Sequence, residues 1–193
     1  MLFPVFLKLD GRRVVVVGGG PVAASKLQGL LDAGARVTVV APEIVDDIRR
    51  RGVAIERRPF APADLDGAWF VVAAATPAVN RAVAEAAEER HVFVNAVDDP
   101  PSASAYLGGV VRKAGVTFAI STDGQAPALA GLLREGLERV LPDDLDVWHE
   151  RARAERVAWR RDGVPYAARR PRLLAALNEI YAAPAAAGRE ATP

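Results

Sequence analysis

The sequence of 193 residues contains no cysteine and only two histidines. The absence of cysteine excludes disulfide bonds, thiolate metal sites and cysteine nucleophiles, and the scarcity of histidine excludes a multi-histidine metal cage. No apolar run reaches the roughly 18 residues that a membrane-spanning helix needs. The first residues also lack the basic and apolar segments of a secretory signal. We therefore expect a cytoplasmic protein that holds no metal ion of its own.

The chain also has no large excess of either charge. It contains 25 Lys and Arg residues and 24 Asp and Glu residues, which give a formal net charge of +1. Bulk electrostatics therefore does not favour nucleic acid as a partner. Hydrophobic residues, in contrast, make up 51% of the chain, which is typical of an ordinary globular core. The expected ligand is a small molecule rather than nucleic acid or a membrane.

Short β-branched runs alternate with alanine-rich helical patterns through the first hundred residues. The run from Val14 to Val17 is apolar without interruption, as in strands that are buried on both faces of a parallel sheet. Further strands are predicted at 37–40, 54–57, 69–75 and 91–97, with helices at 23–33, 44–51 and 78–90. This alternation predicts an α/β fold, a Rossmann-like parallel sheet with helices on both faces.

The alternation of predicted strands and helices ends after Pro100. Two β-type stretches, 106–112 and 116–121, flank a predicted hairpin turn at 113–115, and helices follow at 127–140, 144–161 and 171–182. We divide the chain into a Rossmann domain (1–104), a small β-containing segment (105–145) and a helical C-terminal domain (146–193). The tail from Pro184 is expected to fray.

Gly18, Gly20 and Ala23 follow the pattern G-x-G-x-x-G/A directly after the first predicted strand and before the first helix. Gly18 would permit the tight turn, Gly20 would let the backbone approach a pyrophosphate, and Ala23 would keep the helix close to the sheet. The N-terminus of that helix would then bind the phosphates. In this context the motif predicts a dinucleotide site, and a purely structural turn is the alternative.

The acidic residue that usually binds the ribose about 20 positions later is displaced, because the second strand ends at Val40 and Ala41-Pro42-Glu43 follows. Glu43 would either reach a ribose hydroxyl or compensate the charge at a helix N-terminus. No arginine stands at the strand end itself, although residues 49–51 are all arginine. We therefore favour NAD over NADP as the cofactor.

Two loops offer polar groups for a ligand. Asp98 and Asp99 follow the fifth predicted strand, where open parallel sheets bind ligands, and a carboxylate there can take a proton while a hydride leaves. The alternative is that both residues only cap a turn before Pro100. Ser121 and Thr122 precede a predicted helix and would either contact a ligand or cap that helix.

A basic segment lies near the C-terminus. The stretch 151–172 contains eight arginines, among them Arg160 and Arg161, and only two acidic residues. This asymmetry indicates a polyanionic ligand or an acidic partner, and a solvated helix face is the alternative. Arginine suits carboxylates in particular because its planar fork binds them bidentately.

Taken together, these motifs resemble the precorrin-2 dehydrogenase / sirohydrochlorin ferrochelatase family, in its stand-alone siroheme synthase form. The resemblance covers about residues 1–145 and is specific as a set. It is carried by Phe3-Pro4-Val5-Phe6-Leu7, the turn at 16–23, Lys26, the stretch 34–43, Ala74-Ala75-Thr76 with Val79-Asn80, the stretch 95–100 and the stretch 119–130.

The resemblance implies a Rossmann domain, a dimerisation segment at 105–145, a helical C-terminal part and a homodimer. It implies NAD-dependent oxidation of precorrin-2 to sirohydrochlorin, and in some members also Fe(II) insertion. A metal would then be held by the pyrrole nitrogens of the substrate. The alternatives are a non-catalytic NAD-binding sensor module and a dehydrogenase for a smaller substrate.

The resemblance also implies roles for single residues. Asp98 would be the catalytic acid/base, which removes the proton that accompanies hydride loss. The cofactor would contact Gly18, Gly20, Pro21, Val22, Pro42, Glu43, Ala75 and Thr76, and the substrate Ser121, Thr122 and Gly124. Arg160 and Arg161 lie outside the resemblance, and we expect them to bind the carboxylates of the substrate because their segment is basic. The chain departs from the usual family pattern at Ala105, Gly108, Asp123 and Gln125, which makes ferrochelatase activity a weaker implication than dehydrogenase activity.

Overall fold

The computed structural model describes residues 2–182, which form two compact units. The first unit comprises residues 2–108 and 121–127, and the second comprises 109–120 and 128–182. The division into segments at 104 and 145 stays a prediction. The expected frayed tail from Pro184 lies outside the described residues.

A parallel sheet of five strands with the order β3-β2-β1-β4-β5 dominates the first unit. This order reverses between β1 and β4, which is where doubly wound sheets bind ligands. The predicted α/β, Rossmann-like fold class is confirmed. The elements are β1 (Arg13–Val17), α1 (Pro21–Asp32), β2 (Arg36–Val40), α2 (Asp46–Arg49), β3 (Ala54–Glu56), β4 (Phe70–Ala73), α3 (Pro77–Glu89) and β5 (Phe93–Ala96).

The valine run of β1 is the centre of this sheet. Val14 and Val16 belong to the hydrophobic cluster that includes α1, whereas Val15 and Val17 belong to the cluster that includes α3. All four side chains are buried. Because alternate residues of a strand face opposite sides, a strand with a helix layer on each side needs apolar residues at every position.

The outer edge of β5 is covered by the chain that follows it. The Val94 amide donates to Ser104 Oγ at 2.9 Å, and the Val94 carbonyl accepts bonds from the Ser104 and Ala105 amides, also at 2.9 Å. The buried side chain of Asn95 donates to the Ala105 carbonyl at 3.0 Å. These bonds hold the loop between residues 97 and 104 at both of its ends.

The second unit contains an antiparallel hairpin of β6 (Gly109–Lys113) and β7 (Val116–Ile120). Both turn residues, Ala114 and Gly115, have positive φ angles of 53° and 76°, as in the hairpin turns that match strand twist. Three helices follow at α4 (Pro127–Val140), α5 (Leu145–Arg161) and α6 (Tyr166–Tyr181). None of the helices within residues 2–182 is both long and apolar enough to cross a membrane.

Several predicted boundaries are wrong, and three of them have a structural reason. The last helix begins at Tyr166 rather than at 171, because Pro171 lies in its second turn and removes only one backbone hydrogen bond there. His91 does not begin a strand, since its φ of 54° is left-handed and β5 starts at Phe93. The first hairpin strand starts at Gly109 rather than at 106, because Gly109 pairs with Ile120, the last residue of β7, and no strand residue remains to pair with 106–108.

Candidate functional site

The glycine-rich turn begins with Gly18 directly after β1. Its φ of 129° is disfavoured for residues with a side chain, and a Cβ at this position would overlap the Ala74 carbonyl oxygen. The Gly18 amide donates to the Val40 carbonyl at 3.0 Å. The end of β1 therefore lies directly against the ends of β2 and β4, as a tight turn at this position requires.

Gly19 is equally constrained, although it occupies a variable position of the motif. A Cβ on Gly19 would overlap the Glu43 carbonyl oxygen and come within 2.9 Å of Ile44 Cδ1. The Gly19 carbonyl also accepts a bond from the Val45 amide at 2.9 Å. The motif does not single out this residue, and the signal in the sequence that points to it is the third glycine in the run.

Gly20 differs from its two neighbours because, apart from the adjacent residues, no protein atom lies within 4 Å of a Cβ built on it. It is the N-cap residue of α1, and within residues 2–182 no side chain accepts a bond from the first amides of this helix. The first amides of a helix need acceptors, and an anion supplies them well. An open cradle at an uncapped helix N-terminus fits the pyrophosphate of a dinucleotide.

A cleft of about 480 Å³ lies beside this turn. It brings together the predicted cofactor residues Gly20, Pro42 and Glu43, whereas Pro21 and Val22 lie on the first turn of α1 and do not line it. The lining residues are Gly19, Gly20, Pro42, Glu43, Ile44, Val45, Arg49 and Arg57.

Glu43 is exposed and lies outside the short helix that follows it. Val45 is the N-cap residue of α2, and Asp46 and Asp47 supply the acidic charge in its first turn. The alternative role of Glu43, compensation of the helix charge, is therefore already filled by other residues. The Glu43 side chain is available to the cleft.

Ala75 and Thr76 form the turn between β4 and α3 at the same edge of the sheet. The Ala75 amide donates to Oδ1 of the buried Asn80 at 2.9 Å, which fixes the turn. Thr76 is the N-cap residue of α3, but its side chain makes no capping bond. Both predicted cofactor residues are exposed, so their surfaces are open to a ligand.

Asp98 lies at the carboxyl edge of the sheet, two strands from Gly18. Val17 is in register with Ala73, and Ala73 with Ala96, so β1 and β5 are separated by about 10 Å at the usual strand spacing. Asp98 is exposed, and its φ of 57° is left-handed. Within residues 2–182 its carboxylate forms no hydrogen bond or ion pair. Such strained, unpartnered residues concentrate at functional sites.

The neighbouring Asp99 has a local structural role. Its carbonyl accepts a bond from the Ser102 amide at 3.1 Å, in a 3-10 turn that spans Pro100–Ser102. Asp99 is also less exposed than Asp98. Of the two carboxylates that follow β5, Asp98 is therefore the one that faces open solvent.

Ser121 and Thr122 bond within their own loop. Ser121 Oγ accepts from the Asp123 amide at 3.1 Å, and Thr122 Oγ1 accepts from the Ala126 amide at 3.2 Å. These bonds match the capping alternative, and each hydroxyl keeps its proton available as a donor. Ligand contacts by the two residues stay a prediction.

Gly124 links this loop to the loop that carries Asp98. A Cβ on Gly124 would lie 2.9 Å from Tyr106 Cε1 and 3.6 Å from Pro100 Cγ. The Tyr106 hydroxyl in turn donates to the Pro100 carbonyl at 3.0 Å. Tyr106 was not among the predicted site residues, since nothing in the sequence marks an aromatic ring as the contact between two loops.

The arginines of the second unit are partly neutralised. Arg161 forms an ion pair with Asp162 at 2.7 Å, and this hydrogen bond lowers the pKa of Asp162. Arg160 is exposed at the end of α5. Further pairs join Arg151 to Glu155 and Glu179, and Arg153 to Glu150. The positive charge of the basic segment is therefore smaller than the residue counts within 151–172 indicate.

Metal ligands are not grouped in the part of the chain that the structure describes. Among residues 2–182, no three His, Asp or Glu side chains lie close enough together to hold a metal ion.

Comparisons with known proteins identify a family model and several proteins that resemble this chain. The family model described as "Putative NAD(P)-binding" matches residues 5–109. Siroheme synthase 3 of Aeromonas hydrophila subsp. hydrophila is 44% identical over 147 residues, which are 74% of this chain and 31% of that protein. The siroheme synthase of Photorhabdus laumondii subsp. laumondii is 40% identical over 162 residues, which are 78% of this chain and 34% of that protein.

The chain thus spans about a third of the length of these relatives. A solved structure titled "SirC, precorrin-2 dehydrogenase" matches with a TM-score of 0.72 and 26% sequence identity. That match covers 93% of this chain and 92% of the other. The predicted family resemblance is confirmed by these matches.

Proposed function

The chain belongs to the NAD(P)-binding family that matches its residues 5–109, and on that premise we propose that it uses NAD to oxidise precorrin-2 to sirohydrochlorin. The observation that carries the proposal is the exposed, unpartnered carboxylate of Asp98 at the same sheet edge as the glycine-rich turn. The match to a precorrin-2 dehydrogenase along most of the chain, and the siroheme synthase relatives, support the choice of substrate.

The residues that would hold the cofactor follow from the turn and the cleft. The pyrophosphate would bind the uncapped amides that follow Gly20, and the adenosine ribose would lie beside Glu43 after β2. The nicotinamide would then extend toward Ala75 and Thr76 after β4. NAD, when bound, supplies an acceptor for a hydride ion.

The protein's own chemical step belongs to Asp98. Oxidation of precorrin-2 breaks two bonds to hydrogen, and one hydrogen leaves as a hydride with its electron pair. The other leaves as a proton, which the Asp98 carboxylate takes as a general base. Because Asp98 is exposed, it can release this proton to solvent and return to the ionised state.

The assay that tests this function follows NADH formation in an anaerobic mixture of the full chain, precorrin-2 and NAD. We expect NADH and sirohydrochlorin to appear together in equal amounts. Binding of NAD without turnover would instead support a sensor module, and would contradict the proposal. Adding Fe(II) after the oxidation is complete tests whether the chain also produces siroheme.

We propose that Ser121, Thr122, Gly124, Arg160 and Arg161 contact the substrate, with the two arginines on its carboxylates. The double substitution Arg160→Gln and Arg161→Gln is expected to raise KM for precorrin-2 by roughly tenfold, the effect of losing one or two charged hydrogen bonds. The Kd for NAD should not change. Arg153→Gln on the same helix, whose side chain pairs with Glu150, is the control. An unchanged KM in the double variant would contradict this role.

We propose further that two copies of the chain associate through the second unit, as the predicted homodimer requires. Three leucines of α4 are exposed there, Leu129, Leu132 and Leu133, at 48%, 66% and 49%. Exposed apolar clusters of this kind favour a protein partner over water. Sedimentation equilibrium of the full chain measures the mass of the assembly.

The cytoplasmic location stays a prediction.

A further inference from the structure

The cleft beside the glycine-rich turn contains two arginines, Arg49 and Arg57. Arg57 directly follows β3, whose last residue, Glu56, is in register with Val40 at the end of β2. Arg57 therefore lies at the carboxyl edge of the sheet, on the side of β1 away from Asp98. Its side chain is exposed and makes no ion pair within 4 Å in the described part of the chain.

The next residue, Arg58, holds this segment in place. Its guanidinium binds both carboxylate oxygens of Asp64 at 2.8 and 2.5 Å, and the Asp64 side chain is only 8% exposed. The Ala61 amide donates to the same carboxylate at 2.8 Å. The hydrogen bonds from Arg58 lower the pKa of Asp64, so the pair is ionised at neutral pH. Within residues 2–182, Arg57 thus forms no ion pair, although it stands next to an anchored arginine.

Arg49 already has one partner, because its guanidinium forms an ion pair with Asp46 of the same helix at 2.6 Å. Both groups remain largely exposed, so the pair is weak and Arg49 can also meet an anion in the cleft. Among the residues that line the cleft, the two arginines face a single carboxylate, that of Glu43.

We propose that Arg57, assisted by Arg49, binds a phosphate on the 2′-position of the adenosine ribose, so that the protein accepts NADP(H) as well as NAD(H). The inference rests on the proposed function, because it uses the same orientation of the dinucleotide. NAD-specific sheets carry a carboxylate at the end of β2, which bonds the ribose 2′-hydroxyl, and an arginine nearby accommodates a 2′-phosphate. Here Ala41-Pro42 occupies that strand end. A guanidinium binds phosphate bidentately, which makes Arg57 a suitable ligand.

This inference extends the sequence-based preference for NAD over NADP. That preference considered the arginines at 49–51, which are close to the strand end in sequence. Arg57 lies a further strand along the chain, and only the parallel pairing of β2 with β3 brings it to the same cleft.

The test measures dissociation constants for NADH and NADPH by fluorescence titration of the full chain, without any tetrapyrrole. For the wild type we expect the two constants to differ by less than about tenfold. Arg57→Gln is expected to raise the Kd for NADPH by roughly tenfold or more, because the 2′-phosphate loses a charged hydrogen-bonding partner. The Kd for NADH should stay unchanged, because NADH has no 2′-phosphate. Arg50→Gln, which removes an exposed arginine next to Arg49 that does not line the cleft, should change neither constant.

Other results would overturn the inference. If the wild type binds NADH but binds NADPH more than a hundredfold more weakly, the cleft excludes the phosphate. If Arg57→Gln weakens both ligands equally, the residue supports the fold rather than the phosphate. Failure to bind either nucleotide would instead remove the proposed function itself, so the two failures are distinguishable.

Discussion

Replacing Asp98 with Asn is expected to lower kcat for NADH formation from precorrin-2 by about 10²- to 10⁴-fold, the usual contribution of a general base. The amide cannot accept the proton that leaves with the hydride. The Kd for NAD should stay unchanged, because Asp98 lies two strands away from the glycine-rich turn. Anaerobic steady-state kinetics and a separate titration with NAD measure the two quantities.

The substitution is informative because it leaves the backbone as it is. Asp98 has a φ of 57°, and asparagine tolerates this left-handed region as well as aspartate does. The matched control is Asp99→Asn, which removes a carboxylate from the next position and should retain most of the activity. If Asp98→Asn keeps kcat within a few-fold of the wild type, Asp98 is not the base. Equal losses in both variants would indicate damage to the loop.

Gly19→Ala is expected to abolish nucleotide binding and also to lower the free energy of unfolding. The new methyl group would overlap the Glu43 carbonyl oxygen and crowd Ile44 Cδ1. Relief requires the segment after β2 to move, which would break the bond from the Val45 amide to the Gly19 carbonyl. Overpacking of this kind costs about 1–3 kcal/mol. Thermal or denaturant unfolding measures the loss, and NAD titration measures the binding.

Two other glycines separate the causes of that effect. Gly20→Ala meets no protein atom within 4 Å, so it should leave the stability unchanged while its methyl group blocks the approach of the pyrophosphate. Gly29→Ala, also in open space but within α1, should raise the stability by about 0.5–1 kcal/mol and leave NAD binding unchanged. If Gly19→Ala binds NAD normally, the contact with the Glu43 segment has no role in forming the cleft.

The sheet and its ligand edge were predictable because local patterns determine them. The uninterrupted valines of β1 require two apolar layers, and the glycine run marks the turn above them. The parallel order then brings the segments after β1, β4 and β5 to one edge, so the sequence could indicate that Gly18 and Asp98 lie at the same edge.

Other features depend on contacts between segments that are distant in sequence. The constraint on Gly19 comes from the backbone after β2, and the position of Arg57 comes from the pairing of β2 with β3. Tyr106 matters because Gly124 leaves room for its ring. The charge of the arginine segment was overestimated for the same reason, since Glu150 and Glu179 lie outside the segment that was counted.

The backbone that lies along β5 also limits how this protein can assemble. Ser104 and Ala105 occupy the hydrogen-bonding groups of Val94 that an incoming strand would use. At the opposite border of the sheet, β3 offers only three residues, Ala54–Glu56, followed by two arginines. Neither border is a good template for strand addition, so open-ended polymerisation through the sheet is disfavoured.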